Sequence, residues 1–112
     1  MLIKRKQAVV RVAESLHNVE DAIDLALARA AEFSATMVTA RSDAGLSAMV
    51  GQDAFEGAAA AFAALAKARG DIVETHRRLT ETKAQIGMRT VSVGDEMSKP
   101  VAERGVALRA VA

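Results

Sequence analysis

From Val9 to Ala40, apolar side chains recur every three and four residues, through Val12, Leu16, Val19, Ile23, Ala26, Ala30, Phe33 and Met37. No Gly or Pro lies between Gln7 and Arg41. Alternating steps of three and four keep the apolar set on one side of an α-helix, in a seam that must be covered. The spacing predicts a helix over about 6–41, roughly 54 Å long at 1.5 Å per residue. A second seam runs through Phe55, Ala58, Phe62, Leu65, Arg69, Ile72, His76, Leu79, Lys83 and Ile86 with the same steps. It predicts a helix over about 53–87, with Gly70 as a point where the helix could bend.

Between them lies "SDAGLSAMVGQD", residues 42 to 53. Gly45 suits a helix C-cap, and Asp53 followed by Glu56 has capping-box spacing, with Asp in place of Ser or Thr. A loop over 42–52 this short makes the two helices antiparallel neighbours. With the tip near residue 47, residue i is expected opposite residue 94 − i. The fold class is therefore all-α, an antiparallel hairpin occupying 1–88. Residues 89–112, with a brief alternation in "RTVSVG" and the single proline at 100, are expected to form a mobile or docking tail.

Composition sharpens this reading. Apolar residues make up 51% of the 112-residue chain but aromatic residues only 3%, and alanine supplies the difference. Alanine favours helix and lets backbones approach closely. Around "AAAAFAALAKA", residues 58 to 68, the second helix is apolar on nearly every side. The matching part of the first helix adds Ala28, Ala31, Ala35 and Val38 on the stripe opposite its seam, beside Leu25 and Leu27. A helix that is apolar all round is a buried helix, and one hairpin cannot bury it. A second copy can, giving a homodimeric four-helix bundle. Its expected interface is Leu27, Ala31, Ala35, Val38, Ala59, Phe62 and Ala66. A tail folded over the same patch and a different protein docked on it are the competing covers.

Charge is unevenly placed within a net of +1. Lys4, Arg5, Lys6 and Arg11 load the start of the first helix, where the helix dipole favours anions. Arg77, Arg78, Lys83 and Arg89, against Glu81 alone, load the end of the second. A solvated end explains this pole. The functional alternative is a site for nucleic acid or another anionic surface, held by phosphate contacts without base stacking, since no aromatic residue lies there.

One constellation has metal-site spacing. Glu14 and His17 form a Glu-x-x-His pair, and His76 with Glu74 falls at the matching height of the second helix. In the seam frame Glu14, His17, Asp21 and Asp24 face away from the partner helix while His76 faces it, so a dimer would have to assemble the set. No cysteine is present, so disulfides and thiolate sites are excluded. Phosphate-loop, dinucleotide-binding and nucleophile-elbow motifs are missing from the sequence. The chain is thus expected to be a non-enzymatic interaction or adaptor module without a cofactor, dimerising with itself, docking another protein, and cytoplasmic by default. The charged pole and the metal set give the two alternative readings.

Overall fold

The computed structural model describes residues 2–88; the expected tail, 89–112, lies outside the described residues. Two helices in contact make up the architecture, with no strand among the described residues. Helix α1 spans Leu2–Asp43 and helix α2 spans Gln52–Gln85. Both are uninterrupted, and α2 passes through Gly70 without a break. A Cβ added at Gly70 would meet nothing within 4 Å. Gly70→Ala should therefore raise stability by about 1 kcal/mol, because Ala is the better helix former and nothing must move to admit it. Chemical denaturation read by circular dichroism measures the gain.

Both helices end in the same way. Gly45 has φ 70°, its N–H donates to Ser42 O at 3.0 Å, and the Leu46 N–H donates to Arg41 O at 3.1 Å. Gly87 has φ 80°, with Gly87 N–H to Ala84 O at 3.1 Å and Met88 N–H to Lys83 O at 2.8 Å. These are Schellman motifs, which need a left-handed residue where each helix stops. The start of α2 departs from the expected capping box. Gly51, at φ 76°, sits before the first helical residue and its carbonyl accepts from the Phe55 N–H at 2.9 Å. Asp53 is already inside the first turn, and its Oδ1 accepts from the adjacent Ala54 N–H at 2.9 Å. There its charge still complements the helix dipole.

The described residues divide into two compact units: residues 2–18 with 73–88, and residues 19–72. In the first unit Leu16, His76 and Met88 are buried. In the second no side chain is buried; its best-covered residues are only half-buried.

The covered positions of α1 correct the expected seam. A covered ridge runs through Val9, Ala13, Leu16, Glu20, Ile23, Leu27, Ala30, Ser34, Met37 and Arg41 in steps of four and three, with Val10, His17 and Ala26 half-buried at its edges. The expected positions Val9, Leu16, Ile23, Ala30 and Met37 are covered. Val12, Val19, Phe33 and Ala40 are exposed, and Ala26 alone of that ridge is half-buried. The helix has rolled by one ridge, leaving Phe33 58% and Val19 41% exposed. On α2 the expected seam holds at Phe55, Ala58, Leu65, Ile72, His76, Leu79 and Lys83. Ala68 takes the place expected for Arg69, and Phe62 and Ile86 remain exposed.

Candidate functional site

In the first unit the roll of α1 reorganises the histidine level. His76 is 4% exposed and meets His17 edge to face, with ring centroids 6.0 Å apart and planes at 82°. His17 is half-buried, not turned away from α2 as its place in the sequence frame suggested. Moving the second ridge from Val12 to Ala13 brings the position after Leu16 round to the edge of the contact. Of the other metal candidates, Glu14 is exposed. Glu74 accepts from Arg77 Nε at 3.0 Å and from Arg78 Nε at 3.1 Å. Those guanidiniums, Arg77 first, lower the Glu74 carboxyl to about 2. The carboxylates of Glu74, chiefly, and Glu81 hold Arg77 above its ordinary value. Among the described residues no group of three or more His, Asp or Glu side chains converges on a point suited to a cation.

The expected basic pole separates into two parts. Arg77 bridges Glu74 and Glu81 within α2, and Arg78 shares Glu74, so these cations are locally neutralised. Lys83 is half-buried, and Arg89 lies outside the described residues. Lys4, Arg5, Lys6 and Arg11 are all exposed on the first turns of α1, whose first turn holds no acidic residue. Nearby, a groove of about 160 Å³ is lined chiefly by apolar side chains, among them Val9, Val12, Leu16, Leu79 and Ile86. The sequence frame missed it, because it had placed Val12 inside the seam.

In the second unit, Asp24 Oδ1 accepts from Arg69 Nε at 2.8 Å, one residue from the expected opposition. This ion pair marks one flank of the helix pair. Seven residues make two turns, so Ala31 and Val38 follow Asp24 on that flank, and Phe62 shares it with Arg69. Ala31, Ala35, Val38, Ala59, Phe62 and Ala66, all expected in a dimer interface, are exposed; Leu27 is half-buried in the seam. The opposite flank carries Val19, Ala26, Phe33 and Ala40 from α1, with Ala54, Ala61 and Ala68 from α2. That flank has no charged residue at any of these positions.

No helix of the described residues is long and apolar enough to cross a membrane. No protein family, characterised protein or solved structure matches the chain.

Proposed function

We propose that this chain is a non-enzymatic interaction module that dimerises through residues 19–72 into a four-helix bundle. The observation that carries the reading is the lack of any buried side chain in that unit, although Leu25, Phe33, Val38 and Phe62 are all in it and exposed. An Ala-rich helix pair of this kind gains little from its own seam, and a second helical layer removes more of its apolar surface from water. Co-expression of a tagged and an untagged copy tests it. With the two expressed equally, the untagged chain should co-purify at about half the amount of the tagged one, and its loss in the wash would sink the reading.

A second reading is favoured by Lys4, Arg5, Lys6 and Arg11. They are exposed at the end of α1 that the helix dipole already makes positive. Local stability does not call for them, and an anionic surface does. If they hold nucleic acid, binding falls steeply with salt. Changing all four to Gln should then abolish binding, or cut the slope of log affinity against log salt by about 3 to 4. Fluorescence anisotropy with a labelled duplex at several salt concentrations measures it, and a slope unchanged by the substitutions refutes this reading.

A further inference from the structure

We infer that the second copy docks on the flank bearing Val19, Phe33, Ala54, Ala61 and Ala68, not on the flank of Asp24 and Arg69; this rests on the dimer reading above. The ion-paired flank would have to bury Asp24 and Arg69, whose side chains are now 57% and 54% exposed. Desolvating such a pair cancels much of its attraction. On the opposite flank the charged residues, Arg29 and Asp71, lie on the rows outward of these positions, where they pair with Glu32 and Lys67 and can stay solvated at the rim. That flank also has complementary relief. On α1 it raises Phe33 and Val19, both exposed. On α2 it offers Ala54, Ala61 and Ala68, with Gly57 and Ala64 on the next row outward.

A two-fold axis parallel to the helices sets α1 of one copy over α2 of the other at the same height. Phe33 of each copy then enters the shallow row between Gly57 and Ala64 of its mate. One surface supplies both knob and hole, which is what an isologous contact requires. The area suffices. Helical stretches 19–43 and 52–72 are about 37 and 31 Å long, and each helix is about 10 Å wide. Covering one flank removes on the order of 1,400 Å² in total, within the range of stable specific interfaces.

The chain has no cysteine, so single introduced cysteines on two differently tagged copies report on contacts between copies alone. Co-expressed Phe33→Cys and Ala61→Cys copies should form a disulfide-linked heterodimer under mild oxidation. The control, Ala31→Cys co-expressed with Phe62→Cys on the other flank, should not. In parallel, Phe33→Glu and Ala61→Glu should halve the mass measured by light scattering while Ala59→Glu leaves it unchanged, with helicity checked by circular dichroism. Cross-linking of the control pair in place of the first, or a monomeric Ala59→Glu, overturns this choice of flank. A monomeric wild-type chain overturns the dimer reading itself, and this inference with it.

Discussion

Leu16→Ala is expected to cost about 2–5 kcal/mol of stability. Leu16 and Met88 are the only buried apolar side chains among the described residues. The usual penalty for removing a buried leucine combines lost transfer free energy with the cavity left behind. Here there is little else to share the load. Leu16 packs at the level where His17 meets His76, and it lines the groove of the first unit. Small domains keep only about 5–15 kcal/mol in all, so the loss is a large fraction of the total. Urea denaturation followed at 222 nm gives the value. A change below about 1 kcal/mol would mean that the first unit is held by something other than this contact.

The second large effect is on concentration. If residues 19–72 are covered only in the dimer, folding and association are one equilibrium. Each tenfold rise in chain concentration should then add about 1.4 kcal/mol to apparent stability and raise the thermal midpoint by several degrees. Scans over three decades of concentration would show a steady climb. A midpoint that does not move with concentration would indicate a chain that is stable by itself.

Much of the fold was legible because its signals are local. The lack of Gly and Pro between Gln7 and Arg41 dictates one long helix. Gly45 and Gly87 stop the helices because only left-handed backbone closes a Schellman turn at low cost. The second ridge of α1 was not legible. A path from Val9 to Leu16 through Val12 and one through Ala13 both alternate threes and fours. Hydrophobicity selects Val12, Val19 and Phe33. The covered residues are Ala13, Glu20, Leu27, Ser34 and Arg41, a set that neither hydrophobicity nor size picks out. The histidine contact was hidden by the same shift, since its visibility depended on which ridge faced α2. Asp53 was misplaced because Gly51 serves the helix start two residues earlier. The neutralisation of Arg77 and Arg78 could have been read from their spacing to Glu74 and Glu81, which are helical neighbours at three and four residues.

The central claim is that the Ala-rich unit is completed by a second copy. Size-exclusion chromatography with in-line light scattering tests it most directly, with absorbance at 260 nm recorded in the same run. A chain without Trp or Tyr absorbs little there, so bound nucleic acid would stand out. The account predicts one peak at twice the chain's 11.8 kDa. A peak at 11.8 kDa at the highest concentration tested would contradict it.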